Sequence, residues 1–495
     1  KELPKIHSAL DEFVARDEAI VVANVGLHEL LRLGERRAVA FEGSDPERSH
    51  GDDIVAALEQ TAREGAAVLV VPSISLWWNE ELQAQQPAIR ARFREIASTE
   101  ACTIFDLRRK PATFDAVTAR GNGVAAFEER PDEGSDDLKL IAFYLPQFHP
   151  IPENDAWWGE GFTEWRNVTK STPLFGGHHQ PHLPADLGFY DLRLSETREA
   201  QANLARDHGI TGFCYYHYWF SGKQLLERPF EEVLLSGQPD FPFCLCWANE
   251  PWSRRWDGVE DDVLQPQSYS EEDDRRHIAW LLPALLDRRA IRVDGKPLLL
   301  IYQGRELPDP TRTIEIWQSA ARDAGLTGLH LVSVETGWDA GWDATRVGFD
   351  AKVLFQPQFS ILDTVPKLDL GPEATRVFDY QEAWPILAEP DPVDYPRYDC
   401  VCPSWDNTAR RGQESWVIHN STPEAYQEWL ELAIRRTLDR PQSEQLVFVN
   451  AWNEWAEGAH LEPDQRWGLS YLEATRRAVE RTSVAHHFEL KGVHA

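Results

Sequence analysis

The 495 residues carry 50 Lys and Arg against 81 Asp and Glu, a formal net charge of −31, and 42% of them are hydrophobic. A chain this acidic disfavours nucleic acid and anionic membrane surfaces as partners, while its apolar fraction suffices for a substantial core. No apolar run approaches the roughly 20 residues of a bilayer-spanning helix. The first segment, KELPKIHSALDEFVARDEAIVV, lacks the apolar block of a secretory leader, so a cytoplasmic location without a membrane span is expected.

From the start of the chain, AIVVANV, AVAFEG, AAVLVVPSISLWW and CTIFDL read as strands, and DDIVAALEQTAREG and ELQAQQPAIRARFREIAS as helices. They predict a small α/β domain over residues 1–108, with no glycine-rich phosphate loop opening its helices. Residues 109–138 hold no sustained apolar period and collect Pro, Gly and acids, which predicts a linker.

Residues 139–495 alternate strand and helix patterns. KLIAFYLPQF, GFCYYHYWF, FPFCLCWANE, PLLLIY, LHLVSVETG, AKVLFQPQF, DCVCPSWDN and QLVFVNAW are the eight strand candidates, separated by segments such as SETREAQANLARDHG and TPEAYQEWLELAIRRTLDR with apolar positions near period 3.6. Eight such units predict an α/β fold of the (β/α)8 TIM barrel type; a doubly wound open sheet is the alternative. The barrel is preferred because polar and aromatic residues gather at the C-terminal end of nearly every strand. The six cysteines fall mostly inside apolar strands and are expected to be buried thiols.

In a barrel those strand ends face one bowl. They carry Gln147 and His149; His217 and Trp219; Trp247, Asn249 and Glu250; Tyr302; Glu335; Gln356; Trp405, Asp406 and Asn407; and Asn453, Glu454, Trp455 and Glu457. Carboxylates, amides and flat aromatic faces suit a carbohydrate ligand, so a polysaccharide or oligosaccharide is the expected partner. Glycosidic cleavage needs a proton donor for the leaving oxygen and a second carboxylate. Glu454 and Glu457, three apart in NEWAEG after the last strand, can supply both, with Trp452 and Trp455 expected to wall the pocket. Glu250 follows an apolar strand as a second acidic candidate, its structural alternative being an ion pair to Arg254 or Arg255. Asp406 has the alternative of capping a loop. His178, His179 and His182 crowd GGHHQPHLP without an HExxH helix, so sugar contacts or loop packing are expected there, and no metal or cofactor.

With IAFYLPQFHPIPEND, GFCYYHYWFSGKQLLERP, DFPFCLCWANEPWSRRWDG, VDGKPLLLIY and AWNEWAEGAHLEPD in that order, residues 139 to about 470 resemble the WbsX family, labelled glycosyltransferases of O-antigen clusters. That family in turn resembles glycoside hydrolase family 99, the endo-α-mannosidases, (β/α)8 barrels whose closing motif reads NEWHEG. The resemblance implies that Glu454 deprotonates a substrate 2-hydroxyl, which attacks the anomeric carbon to give a 1,2-anhydro sugar, and that Glu457 is the acid/base. It implies a substrate contact for Glu250. Ala456 stands where the hydrolases have His, and ANEPW where they have HIEPY, which leaves the sugar open. The resemblance to the hydrolases does not reach residues 1 to about 125. The expected activity is a retaining α-glycoside hydrolase; the alternatives are a WbsX-type glycosyltransferase and a non-catalytic glycan-binding barrel.

Overall fold

The computed structural model describes residues 138–492 except 254–262, 338, 372, 373 and 375, and before them 20–22, 38–40, 58, 61, 67–72, 93–98 and 102–107. The chain divides into two compact units, Lys1–Phe127 and Glu128–Ala495. The expected linker at 109–138 lies outside the described residues except for Leu138.

In the first unit a five-stranded sheet runs in the order Ala38–Ala40, Ile20–Val22, Val68–Pro72, Cys102–Asp106, Arg94–Ser98. The first three strands are parallel and the last two join antiparallel. Arg94–Ser98 corrects the expected helix: Phe93 and Ile96 mimic a helical period, yet REIAS turns back within a few residues to pair with Cys102–Asp106. Ladder hydrogen bonds to a neighbouring strand override so short a periodic signal.

All eight barrel strands of the second unit lie where the apolar runs predicted them. They are β1 (Lys139–Tyr144), β2 (Gly212–Phe220), β3 (Phe243–Trp247), β4 (Lys296–Ile301), β5 (His330–Glu335), β6 (Ala351–Leu354), β7 (Arg397–Val401) and β8 (Leu446–Val449). Each pairs in parallel with the next, and β8 closes on β1 through Leu446–Lys139 to Val449–Ala142. Closure rules out the open sheet and defines the (β/α)8 barrel.

Strand alternation sets two cores. Ile141, Phe143, Cys214, Cys246, Leu300, Val332, Val353, Cys400 and Phe448 fill the barrel interior. Leu140, Ala142, Phe213, Tyr215, Leu245, Trp247, Leu299, Ile301, Val447 and Val449 face the surrounding helices. Cys214, Cys244, Cys246, Cys400 and Cys402 are all buried thiols.

The outer helices are α1 (Ser195–Asp207), α2 (Arg228–Ser236), α3 (Glu271–Leu286), α4 (Pro310–Asp323), α5 (Tyr380–Leu387), α6 (Pro423–Leu438) and α7 (Ser470–Gly492). After β5 the 3-10 turn Ala344–Val347 stands in for a helix. Ser270, Asp309 and Thr422 cap α3, α4 and α6 by accepting the N–H of Asp273, Arg312 and Ala425, each contributing about 1 kcal/mol. No helix among the described residues is long and apolar enough to cross a membrane.

Candidate active site

Beyond β8 the chain forms a tight hairpin: Asn453 pairs with His460 and Glu454 with Ala459, around a single 3-10 turn over Trp455–Glu457. Gly458 ends that turn at φ +59°, and a Cβ there would stand 2.9 Å from Asp406 Cβ and 3.0 Å from its amide nitrogen. Only glycine combines this backbone angle with so close an approach. Asn453 fastens the hairpin to the exit of β1, accepting from Leu145 N at 2.7 Å and donating to Leu145 O at 3.0 Å.

The hairpin presents its two carboxylates to one guanidinium. Arg410, on the short helix Thr408–Arg411 after β7, reaches Glu454 Oε1 through Nη2 and Glu457 Oε1 through Nη1, both at 2.8 Å. Its Nε donates to Glu164 Oε1 at 2.9 Å. A planar fork with five N–H donors suits three acceptors at once, which a lysine ammonium on a flexible stem would not match. Glu164 is fully buried and Glu454 is 6% exposed, whereas Glu457 keeps 23% of its side chain open. Burial raises the Glu454 carboxyl well above the usual carboxylate range; Arg410 opposes the shift, while Glu457 and Glu164 reinforce it.

This acidic corner opens on a cavity of about 2000 Å³ at the C-terminal ends of the barrel strands. Gln147, Asn249, Glu250, Tyr302, Trp405, Asn407, Glu454 and Glu457, all singled out from sequence, line it. Asn249 clamps the loop after β4, accepting from Gln303 N at 2.7 Å and donating to Gln303 O at 3.0 Å. Gln303 Nε2 then donates to Glu250 at 3.3 Å. The Glu250 alternative of pairing with Arg254 or Arg255 lies outside the described residues. Sequence reasoning missed Tyr216, Tyr218, Trp252, Trp416 and Arg410 as lining groups, and Glu164 behind them.

The other predicted contacts are turned elsewhere. Residues of odd number on β2 and β3 point out to the helices: His217 Nε2 meets His277 Nε2 at 2.9 Å and stacks on Trp280, Trp219 donates to Asp273 at 3.0 Å, and Trp247 packs in the outer core. Their even-numbered neighbours Tyr216 and Tyr218 take the cavity wall instead. Glu335, at the end of β5, is buried against Lys352 at 3.2 Å, Arg397 at 3.3 Å and the Tyr395 hydroxyl at 3.0 Å. Trp452 and Trp455 are buried behind the hairpin and do not wall the cavity; Trp455 Nε1 donates to Glu462 at 2.7 Å. Asn453 is spent on the β1 clamp, and Gln356 is buried with Nε2 donating to Leu387 O. His149 is buried near Asp191, and burial pushes its imidazole down to about 4.

Asp406 takes the capping alternative. Its Oδ1 accepts from Thr408 N at 3.0 Å at the start of the helix that carries Arg410, and its Oδ2 accepts from His178 Nε2 at 2.7 Å. His178 Nδ1 accepts from Leu174 N at 3.0 Å, so the imidazole proton resides on Nε2.

A closed parallel barrel with paired glutamates at the mouth of an aromatic cavity is an architecture suited to carbohydrate chemistry. A family model described as Glycosyltransferase WbsX matches residues 140–475, and the chain belongs to that family. The uncharacterized protein WxcX of Xanthomonas campestris pv. campestris strain B100 is 46% identical over 420 residues, covering 79% of this chain and 60% of that protein. WxcX of strain ATCC 33913 is 46% identical over 346 residues, covering 69% of this chain and 50% of that protein, so the chain spans little more than half the length of these relatives. Among solved structures, a GH99 endo-alpha-mannosidase from Bacteroides thetaiotaomicron aligns over 70% of this chain and 98% of its own, at 15% identity and a TM-score of 0.45. A glycoside hydrolase-like protein aligns over 69% and 94%, at 14% identity and a TM-score of 0.46.

Proposed function

We propose that the chain is a retaining glycoside hydrolase that cleaves α-linked bacterial polysaccharide or oligosaccharide, with Glu454 and Glu457 as its catalytic pair. The observation that carries this reading is the pair's shared contact with Arg410 at the edge of a cavity large enough for several sugar rings.

In the first step Glu454 takes the proton of the substrate 2-hydroxyl, whose oxygen attacks the anomeric carbon. Glu457 gives its proton to the glycosidic oxygen as the bond to the leaving sugar breaks. A 1,2-anhydro sugar results. In the second step Glu457 removes a proton from water, which attacks the anomeric carbon and opens the three-membered ring. The freed oxygen recovers its proton from Glu454, and two inversions give net retention. A sugar hydroxyl is a weak acid, so a base with raised proton affinity suits the first step, and burial gives Glu454 that character. Tyr216, Tyr218, Tyr302 and Trp405 offer faces for the sugar rings, on a wall whose β4 loop Asn249 holds in place.

A glycosyltransferase is the second reading, favoured by the family's description and by Lys170, Arg376 and Arg411 on the cavity wall, which suit a diphosphate donor. Incubation of the purified chain with α-linked glycans in water, with and without nucleotide-sugar donors, separates the two. Donor-independent release of sugar, lost in Glu457→Gln, supports hydrolysis; turnover only with a donor overturns it.

A further inference from the structure

The crowded histidines of GGHHQPHLP part company in the fold. His178 turns to Asp406, while His182 crosses to the β8 hairpin. There, separated from the large cavity by Trp405, which borders both spaces, lies a hollow of about 40 Å³, room for one ion and a water.

His182 Nδ1 and His460 Nε2 face each other across 3.0 Å, and Asp464 Oδ2 lies 3.9 Å from the same His460 nitrogen. One ligand atom from each of these three residues falls within 4.8 Å of the other two. Two of the three are already oriented by groups outside the cluster. His460 Nδ1 lies 3.0 Å from the Glu462 carbonyl, which can only accept, so the proton is on Nδ1 and the Nε2 lone pair points into the cluster. Asp464 Oδ1 accepts the backbone N–H of Arg466 and Trp467 at 3.0 and 2.5 Å, leaving Oδ2 for the cluster. An imidazole whose far nitrogen is tied to a carbonyl is the arrangement found at protein-bound zinc.

We propose that His182, His460 and Asp464 form a site for one Zn²⁺, with water as the fourth ligand. Two imidazoles and a carboxylate match zinc's preferences, and ligand bonds of roughly 2.0–2.2 Å set a tetrahedral edge of roughly 3.3 Å. The 3.0 Å nitrogen pair and the 3.9 Å nitrogen–oxygen pair bracket that edge, and with all three ligand atoms within 4.8 Å of one another, side-chain shifts of roughly 1–1.5 Å close the tetrahedron.

The ion's place in the fold defines a structural role. His460 pairs directly with Asn453, beside Glu454, and its ring stacks on Trp455 at 3.8 Å. Zinc there ties the loop after β1 to the hairpin that bears both candidate catalytic glutamates, at a distance from the reacting atoms.

The test uses the whole chain, stripped with a chelator and dialysed, then titrated with Zn²⁺ alone by calorimetry and with Co²⁺ by visible absorption, alongside His182→Gln and Asp464→Asn. The site predicts one tight equivalent, a higher Tm on zinc addition, and the intense d–d bands of tetrahedral Co²⁺. Either variant that folds by circular dichroism should lose the tight equivalent. If neither variant folds, the wild-type stoichiometry and cobalt spectrum decide. Absence of tight uptake with an unchanged Tm, or a folded variant that binds as the wild type does, overturns the proposal and leaves a neutral histidine–histidine hydrogen bond.

Discussion

Arg410 Nη2 lies 2.8 Å from Glu454 Oε1, so the helix after β7 and the hairpin after β8 are joined through a buried ion pair at the cavity edge. The same guanidinium holds Glu164, which is fully buried, and Glu457. Arg410→Ala would leave buried carboxylates uncompensated, a loss of about 3–5 kcal/mol in unfolding free energy. Chemical denaturation measures it. Arg410→Lys should fall between, because one ammonium cannot serve three acceptors with this geometry.

Glu457→Gln removes the proposed proton donor while keeping the shape of the side chain. Turnover should fall by about 10²–10⁴-fold with glycan affinity retained, as read by steady-state kinetics and calorimetry.

Gly458→Ala forces a left-handed backbone on a residue with a Cβ and drives that atom into Asp406 at 2.9 Å. We expect a stability loss on the order of 1–3 kcal/mol and a fall in kcat exceeding that in KM, since the turn that aims Glu457 must shift.

Glu462 accepts from Tyr190, Trp455 and Gln201, three contacts that favour the ionised form, yet burial outweighs them and pushes its carboxyl up to about 7. The folded chain therefore binds more protons than the unfolded chain between the ordinary value of 4.5 and about 7. Its contribution to stability is fully present below the lower value and lost as pH rises through the upper one. Over that window the contribution falls by on the order of 3 kcal/mol. In Glu462→Gln the pH dependence of Tm should flatten by the corresponding amount, with the difference from wild type isolating this group.

The barrel was legible because buried parallel strands write themselves as apolar runs, and FPFCLCWANE or QLVFVNAW admit little else. Which face each side chain takes was legible only in part. Choosing His217 and Trp219 over Tyr216 and Tyr218 was an error of parity: alternation from Cys214, inside the barrel, would have sent the tyrosines to the cavity. Arg410 and Glu164 left no local signal. They lie 246 residues apart, and neither TARR nor GFTEWRN marks a buried ion pair until the barrel closes and brings them together. REIAS misled for the converse reason, a helical period too short to outweigh a strand partner.

The most direct test follows sugar release from α-linked bacterial glycans by proton NMR, in water and without any nucleotide donor, for the wild type and Glu457→Gln. The account predicts that the first product formed keeps the α configuration before mutarotation, and that the variant releases almost none. Release of the β anomer, turnover that depends on a nucleotide-sugar donor, or an unimpaired variant would contradict it.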